Sequence, residues 1–300
     1  MTAQEHQARL SGALLVAAGA IAFSGKGVII KLAYRYGVDA LTLLALRMLF
    51  SAPLFIALAW WAVRGRGLAP ISPADRRSLV ILGIIGYYLA SYFDFLGLQY
   101  ITAGLERLLL FTNPTFVVLL SAILFGRTIT ARDLIAIGLS YAGIFVVFGN
   151  DLATQPGNVA LGAFWVLLSA LFYSAYLIGS GRLVGRVGSM RFACSAGLVS
   201  SIAVVAHFFV TQDAHLLFSQ AAPVYWLSVL LATASTVLPI VLTAEGIRRI
   251  GASHASIIGA VGPVSTIVLG AVFLNEPITA VQLSGAALVL AGVLAISLQK

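Results

Sequence analysis

Five ionisable side chains lie inside apolar stretches of the first half of the chain: Lys26, Arg47, Asp94, Glu106 and Arg107. An ionised group in hydrocarbon costs about 2.5–3.5 kcal/mol or more unless it is paired or hydrated, so these residues are candidates for a functional site. They could form a charged vestibule that binds a zwitterion or carries protons, or an ion-pair network that ties four helices together. Adjacent residues do not share a helix face, so Glu106 can pair sideways while Arg107 faces the vestibule. We assign Lys26, Asp94 and Arg107 to the vestibule.

Aromatic residues at helical spacing indicate a pocket beside these charges. Trp165, Phe172 and Tyr176 recur at i, i+7 and i+11 and so share one face of a helix, and Tyr88 and Tyr92 are four residues apart. A mostly apolar pocket with a few fixed polar groups is typical of small-molecule sites, where rings stack on aromatic or cationic groups. The alternative is an aromatic belt at the lipid interface, which suits aromatic pairs at the ends of apolar stretches. We predict that these five residues line a cavity.

Two prolines, Pro114 and Pro263, each interrupt an apolar stretch near its middle. Proline lacks a backbone donor and bends a helix, so the preceding Asn113 and Gly262 could expose a carbonyl or act as hinge points. A static kink that improves packing is the alternative. We predict that Asn113 lines the cavity and that both prolines are hinges.

The elements that must position these residues are membrane-spanning helices. The chain has 300 residues, of which 60% are hydrophobic and 9% charged, and its mean hydropathy is +1.02. Soluble domains carry roughly a quarter charged residues, so a disordered chain, a disulfide scaffold and a cytosolic enzyme are excluded. Stretches of about 20 apolar residues cross a bilayer as helices. Ten spans are predicted near 10–33, 40–63, 79–99, 102–125, 134–149, 160–181, 192–211, 225–247, 253–274 and 280–298.

Basic residues in the loops predict the orientation of the chain. If the amino terminus is inside, Arg35 lies in an outer loop, whereas the other loop Lys and Arg lie on the inner side. The inner set is Arg9, Arg64, Arg66, Arg76, Arg77, Arg127, Arg132, Arg182, Arg186, Arg191, Arg248, Arg249 and Lys300. Because basic loops are retained in the cytoplasm, both termini are predicted to be cytoplasmic in a multi-pass protein of the cell inner membrane. The net charge of +8 then reflects basic loops that orient the chain in the membrane, and no nucleic-acid partner is expected.

The two halves of the chain resemble each other. Residues 101–145 align with 250–294 without a gap, and this alignment places Pro114 on Pro263 and one Ile-Thr-Ala turn on the other. Register that is kept across two spans indicates an internal repeat. Five spans per half make the second copy enter the membrane from the opposite side, as in many secondary transporters.

The predicted fold is therefore an all-α polytopic membrane protein. Its ten transmembrane helices form two inverted five-helix repeats, residues 10–149 and 160–298, around a central cavity. Each repeat alone would present only half of that cavity, so the functional site is expected where the two repeats meet.

The closing part of each half also resembles a known family. Residues 273–279 read Phe-Leu-Asn-Glu-Pro-Ile-Thr, and residues 283–293 read Leu-Ser-Gly-Ala-Ala-Leu-Val-Leu-Ala-Gly-Val. Within 263–296 these runs resemble the closing signature of EamA-type transporters of the drug/metabolite transporter superfamily. Residues 114–145 follow the same outline, and the resemblance extends over almost the whole chain.

Single positions both support this resemblance and depart from it. Lys31 and Arg47 stand where the family often has basic residues. Arg127 replaces the turn glutamate that is present at Glu276, and Lys26 stands at a place that is usually small or polar. One further departure is the pair Phe23-Ser24, which replaces a frequent Trp-Gly. The change at Lys26 bears on substrate choice.

The resemblance implies ten helices around a cavity lined mainly by spans one, three, four, six, eight and nine. Span two is then peripheral, so Arg47 is assigned to the ion-pair network. The resemblance also implies a secondary transporter of small metabolites, amino acids or amphipathic and cationic drugs, which exports them by alternating access. The alternatives are a passive channel and an intramembrane enzyme that acts on a lipid-linked substrate through Asp94 and Glu106.

No pattern in the sequence indicates a metal site or a cofactor. Cys194 is the single cysteine, and there is no Cys/His cluster. The run Ser24-Gly25-Lys26-Gly27 lacks the spacing of a phosphate-binding loop. We therefore predict a protein without catalytic residues, metal or cofactor. Its expected partners are a small-molecule substrate and membrane lipid, and we expect it to act as a monomer.

Overall fold

A computed structural model describes residues 3–63, 71–155 and 157–297, and these residues form helices without a strand. The helices are α1 (Ala3–Tyr34), α2 (Ala40–Val63), α3 (Pro73–Gly83), α4 (Ala90–Gly97), α5 (Ala103–Leu110), α6 (Asn113–Phe125), α7 (Ala131–Thr154), α8 (Val159–Val187), α9 (Ser189–Thr211), α10 (Ala222–Ala232), α11 (Leu238–Ile250), α12 (Ala252–Gly259), α13 (Gly262–Leu274) and α14 (Ala280–Ser297). Arg64, Arg66 and Lys300, which contributed to the predicted orientation, lie outside the described residues.

These helices make ten membrane spans. In the described part of the chain, nine helical segments are long and apolar enough to cross a bilayer, and Ala280–Ala295 is a shorter apolar helix. Spans three, four, eight and nine each consist of two helices, namely α3 with α4, α5 with α6, α10 with α11, and α12 with α13. The prediction of ten spans is confirmed. Span three begins at Pro73, earlier than expected, because the Ser72 side chain accepts a hydrogen bond from the Asp75 N–H and caps the helix.

The outer surface of this helical bundle is apolar. Ile123, Val210 and Trp226 are 79%, 83% and 74% exposed, and many other large apolar side chains share this exposure. A water-facing surface of this kind would drive aggregation, whereas lipid tails cover it without cost. The exposed apolar surface therefore fits a bilayer environment.

The interruptions within spans occur at equivalent places in the two halves. A π-helical turn at Ile84–Leu89 joins α3 to α4, and another at Thr233–Val237 joins α10 to α11. The breaks before α6 and α13 place Pro114 and Pro263 in the first turn, where the missing N–H leaves no hydrogen bond unmade. Spans four and nine are thus each broken just before a proline, although the two repeats cross the membrane in opposite directions. The predicted inverted repeat is confirmed.

The turns that follow these helices also match. The residue that follows α6 is Gly126 with φ 65°, and the residue that follows α13 is Asn275 with φ 59°; both are left-handed. Glycine and asparagine tolerate this conformation better than other residues, which explains why they stop these helices. The last span of each repeat, α7 or α14, begins after the turn.

Small residues allow helices of the two repeats to approach closely. α1 packs against α11, and α4 packs against α8 in the equivalent way. A Cβ added to Gly246 would lie 3.0 Å from the Gly12 carbonyl oxygen, and one added to Gly97 would lie 2.8 Å from the Gly162 carbonyl oxygen. Glycine at these crossings lets the backbones approach closely, and the van der Waals packing that results promotes helix association in lipid. These contacts hold the two repeats against each other.

Candidate functional site

The membrane faces are named here by their loops. Face 1 carries the loops that follow α1, α4, α7, α9 and α13, and face 2 carries those that follow α2, α6, α8 and α11. Because the spans alternate in direction, each loop on face 1 is followed along the chain by one on face 2.

A cavity of about 430 Å³ lies between the two repeats. This volume is within the range of roughly 300–1,000 Å³ that is typical of small-molecule sites. Its polar lining residues are Lys26, Arg47, Tyr87, Ser91, Asp94, Arg107, Asn113, Ser169, Tyr173, Ser235 and Thr236. Its larger apolar lining residues are Phe23, Leu110, Phe111, Ile240 and Val293. The predicted vestibule residues Lys26, Asp94, Arg107 and Asn113 therefore share one cavity.

Lys26 is the centre of a buried ion cluster at the end of the cavity nearer face 1. Its Nζ lies 2.6 Å from Asp94 Oδ2 and 3.3 Å from Glu106 Oε1, so one ammonium group serves two carboxylates. The contact with Glu106 Oε1 is an ion pair without hydrogen-bond geometry, and Asp94 Oδ1 is buried without a hydrogen-bond partner. This ion cluster ties α1, α4 and α5 together, and Lys26 and Asp94 also form part of the cavity wall. Its role in binding a substrate or carrying protons stays a prediction.

Arg107 lies on the cavity wall between aromatic rings. Its guanidinium carbon is 5.1 Å from the centre of the Phe23 ring and 5.3 Å from that of Phe111, within the range of cation–π attraction. A Cβ on Gly262 would lie 2.5 Å from Arg107 Nη2, so the absence of a side chain there leaves room for the guanidinium group. A glycine of the second repeat thus accommodates the arginine of the first.

The assignment of Arg47 to a peripheral ion-pair network is wrong. Arg47 lines the cavity, and its Nε donates a hydrogen bond to Thr236 Oγ1 at 3.0 Å. Among the described residues no carboxylate lies within 4.0 Å of its guanidinium nitrogens. Thr236 belongs to the π-helical turn of span eight, and this irregular turn offers its hydroxyl to span two. The long arginine side chain reaches the cavity from α2, although α2 packs mainly outside it.

Tyr88 and Tyr92 are not among the residues that line the central cavity. The Tyr88 hydroxyl and His207 Nδ1 are 2.9 Å apart, and the Tyr92 ring packs on the His207 ring with centres 5.1 Å apart. These contacts turn both tyrosines toward α9. Residues 87 and 91 occupy the neighbouring helix face, and it is Tyr87 and Ser91 that face the cavity. The expectation that the pair at 88 and 92 reaches the cavity is therefore corrected.

Trp165, Phe172 and Tyr176 are likewise absent from the cavity lining. Phe93 stacks on Trp165 and on Phe172, with ring centres 5.5 Å apart in both cases, so these rings join span three to span six. Tyr176 is 7% exposed, and its ring makes an edge contact with that of Tyr87. The spacing correctly places the three residues along one side of α8, but this side of the helix packs against other spans and does not face the cavity.

Serine side chains support the proline breaks in both repeats. Ser24 Oγ donates to the Gly262 carbonyl at 3.0 Å, and Ser174 Oγ donates to the Asn113 carbonyl at 3.1 Å. The carbonyl that precedes each proline is thus held by the span-one or span-six serine of the opposite repeat. Pro114 lines the cavity next to Asn113. The hinge role of Pro114 and Pro263 stays a prediction.

Sequence reasoning missed several lining residues, among them Tyr173, Ser235 and Thr236. Tyr173 directly follows Phe172 and so projects about 100° further around α8, on a different face from the predicted aromatic residues. Ser235 and Thr236 form a polar pair inside an otherwise apolar span, and that pair was a usable signal. Their exact direction depends on the π-helical turn, which hydropathy does not reveal.

Hydrogen bonds between the repeats close the cavity toward face 1. Arg35 Nη2 donates to the Leu274 carbonyl at 2.9 Å, and the Ala103 N–H donates to Glu276 Oε1 at 3.1 Å. Burial raises the pKa of Glu276 above its ordinary value, although the hydrogen bond from the Ala103 N–H opposes this shift. These contacts fasten the loop after α13 to the ends of α1 and α5.

Face 2 lacks the matching closure in the described part of the chain. Arg127 stands where repeat symmetry would place a counterpart of Glu276, and it pairs with Asp133 of its own repeat at 3.4 Å. α5 and α13 pack together toward face 1, whereas their continuations α6 and α12 make little contact with each other. The structure is therefore closed at face 1.

Comparison with known proteins identifies the family. The sequence profile of the EamA-like transporter family matches residues 10–149 and 160–298. The chain belongs to the EamA-like transporter family. This EamA-like protein is accordingly a multi-pass membrane transporter, and the resemblance seen in its sequence is confirmed.

Relatives of this EamA-like protein are also named transporters. It is 30% identical to "Uncharacterized transporter YcbK" of Bacillus subtilis, over 92% of this chain and 89% of that protein. It is 26% identical to "Uncharacterized transporter sll1319" of Synechocystis, over 93% of this chain and 91% of that protein. A solved crystal structure has a TM-score of 0.66 at 18% identity and covers 97% of this chain and 98% of its own, which shows the shared fold.

Proposed function

We propose that this EamA-like protein is a secondary transporter of the cell inner membrane that exports a small amphipathic metabolite by alternating access. The observation that carries the proposal is the charged cavity between the repeats, which cross-repeat hydrogen bonds close at face 1. Inverted repeats can exchange their conformations, so a second state would close face 2 and open face 1. The substrate would then meet only one face at a time.

The positions of basic residues support an orientation with face 2 in the cytoplasm. Arg76, Arg186 and Arg248 lie at or near helix ends on face 2, whereas Arg35 lies at the face 1 end of α1. Basic segments are retained on the cytoplasmic side. In this orientation the described state would receive substrate from the cytoplasm, as an exporter requires. A monomer suffices, because helices of one chain surround the cavity.

Counterflow in proteoliposomes tests this proposal. Vesicles would be loaded with one unlabelled probe and the uptake of its labelled form measured, for L-phenylalanine, 3-phenylpropionate and 3-phenylpropylamine in turn. Alternating access predicts saturable uptake of at least one probe that depends on the unlabelled probe inside. The Arg107→Gln variant should lower the uptake of the two probes that carry a carboxylate, because it removes a cavity cation.

Arg127→Gln provides the matched control, since Arg127 lies at face 2 with 42% of its side chain exposed and away from the cavity lining. Its uptake should equal that of the unmodified protein. Uptake that rises linearly with concentration and ignores the inside probe would contradict alternating access and indicate a channel. Failure of all three probes to move would refute the proposed substrate class.

A further inference from the structure

The cavity carries an unbalanced positive charge. Lys26, Arg47 and Arg107 contribute three cations to its wall, whereas the carboxylates are Asp94 on the wall and Glu106, which pairs with Lys26 from outside the lining. Both carboxylates share Lys26, at 2.6 and 3.3 Å. A proton added to either carboxylate would only increase the excess. An uncompensated charge in a membrane interior is unfavourable, so an anion in the cavity would balance this excess.

The two guanidinium groups on the cavity wall each carry a donor that no protein group in the described part of the chain accepts from. Arg47 Nη1 and Arg107 Nε are buried without a hydrogen-bond partner, and the two residues are only 5% and 8% exposed. Within the described residues neither guanidinium group has a carboxylate within 4.0 Å. A buried guanidinium N–H without a partner is strongly unfavourable, and carboxylate oxygens are the acceptors that match its geometry.

The rest of the wall suits an apolar body attached to the anionic group. Phe23 and Phe111 flank Arg107, and Leu110, Ile240 and Val293 line the same cavity. Aromatic rings beside a guanidinium group form a surface on which a second ring can stack. A ligand with a carboxylate at one end and a ring or alkyl chain at the other would meet both features.

We propose that the cavity binds a small organic monoanion, a carboxylate on an apolar body, through Arg47 and Arg107. The inference rests on the proposed transport function, because it assigns the substrate class of the same cavity. An organic cation would add to the positive excess. A zwitterionic amino acid would bring an ammonium group, yet both nearby carboxylates already pair with Lys26. Of these three kinds of ligand, only the organic acid therefore balances the positive excess of the cavity.

Equilibrium binding to the purified protein in detergent tests the substrate class directly. Four probes with one skeleton are compared by calorimetry: 3-phenylpropionate, 3-phenylpropanamide, 3-phenylpropylamine and L-phenylalanine. A buried hydrogen bond to a charged group contributes about 1.5–3 kcal/mol, so the acid should bind roughly 10- to 100-fold more tightly than the amide. The amine and L-phenylalanine should bind more weakly than the acid.

Variants separate a specific role from a structural one. Arg107→Gln and Arg47→Gln should each remove most of the preference for acid over amide, and Arg107→Lys should restore part of it. Glu106→Gln should change affinity in the opposite direction, because it raises the positive excess and so tightens acid binding. Arg127→Gln, at face 2, should leave all four affinities unchanged. If a variant fails to fold, the comparison of the four probes on the unmodified protein still tests the proposal.

Equal affinity for acid and amide, a preference for the amine or L-phenylalanine, or no binding of the acid would each overturn the inference. Counterflow distinguishes this failure from failure of the transport proposal. A protein that binds 3-phenylpropionate but carries no probe would refute transport while the anion site stands. Saturable counterflow of the amine without acid binding would refute the anion site while transport stands.

Discussion

At the scale of single residues, Lys26 determines whether the buried charges of the first repeat can coexist. The side chain is 8% exposed and is the one salt-bridge partner of Asp94 and Glu106 within the described chain. The positions of Lys26 on α1, Asp94 on α4 and Glu106 on α5 mean that this ion cluster also fixes three spans relative to one another. Removal of one partner from a buried ion pair leaves an uncompensated charge.

We expect the Lys26→Met variant to lose about 3–5 kcal/mol of stability, because two carboxylates would remain buried without their cation. A thermal unfolding series in detergent, monitored by the fraction that stays monodisperse, measures this loss. The double variant Lys26→Met/Glu106→Gln should recover part of the stability, because one of the two orphaned charges is removed.

Arg127→Met is the control for this prediction, because its ion pair with Asp133 is partly exposed and such pairs contribute at most about 1 kcal/mol. An unchanged melting temperature for Lys26→Met would show that the cluster does not hold the fold together. The second change at Glu106 would then bring no recovery either.

At the scale of elements, glycine contacts decide how closely the spans approach. α7 and α14, the last spans of the two repeats, pack along each other. A Cβ added to Gly285 would lie 2.7 Å from the Gly143 carbonyl oxygen, and one added to Gly143 would lie 2.9 Å from Leu288 Cβ. Lipid gives no hydrophobic drive for helix association, so the packing depends on this close fit.

A leucine placed at Gly143 or at Gly138 of the same helix tests this dependence. Gly143→Leu should destabilise the protein by about 1–3 kcal/mol or more, because α7 and α14 must separate to admit the side chain. Gly138 faces outward, and a Cβ there meets no heavy atom within 4 Å, so Gly138→Leu should be neutral. Melting temperatures in detergent compare the two. Equal effects would show that the glycine contact is not what holds the spans.

At the scale of the whole molecule, the two faces differ although the repeats are related. Arg35 and Glu276 fasten face 1, whereas Gly185 and Arg127 stand at the corresponding positions near face 2. In the alternating access that we propose, repeat symmetry would allow two states, and these residues outside the symmetry would favour the one closed at face 1. The difference between the states resides in a few polar contacts, so a single substitution should shift their populations.

A cysteine in the cavity reports which face is open. In a Cys194→Ala background, Ser91→Cys should react with a membrane-impermeant maleimide from face 2 and not from face 1. Glu276→Gln should raise the face 1 reaction roughly tenfold, because it weakens a charged hydrogen bond of about 1.5 kcal/mol. Labelling rates in vesicles of the two orientations measure this shift.

Arg127→Gln serves here as the control at the opposite face, and it should leave the labelling pattern unaltered. Equal labelling of Ser91→Cys from both faces in the protein with intact Glu276 would contradict a closed face 1. Labelling from face 1 alone would reverse the inferred direction of opening.

The sequence predicted the spans and the intramembrane charges well, but it predicted the aromatic lining poorly. Lys26, Asp94 and Arg107 could be identified because an ionised group in lipid needs a partner or water wherever it lies. Tyr88 and Trp165 could not be placed, because an aromatic ring is tolerated on a lipid face, between helices or in a cavity. Arg47 was misassigned because the long side chain reaches past the packing position of its own helix.

The order of apolar segments, the loop charges and the internal repeat determined that the chain is a ten-helix membrane protein with inverted halves. These properties follow from hydrophobic burial and backbone hydrogen bonding, which act locally along the chain. Tertiary structure alone decided which side chains share the cavity and which face is closed. Those properties depend on helix rotation, and two π-helical turns and two proline breaks alter that rotation by amounts that hydropathy does not record.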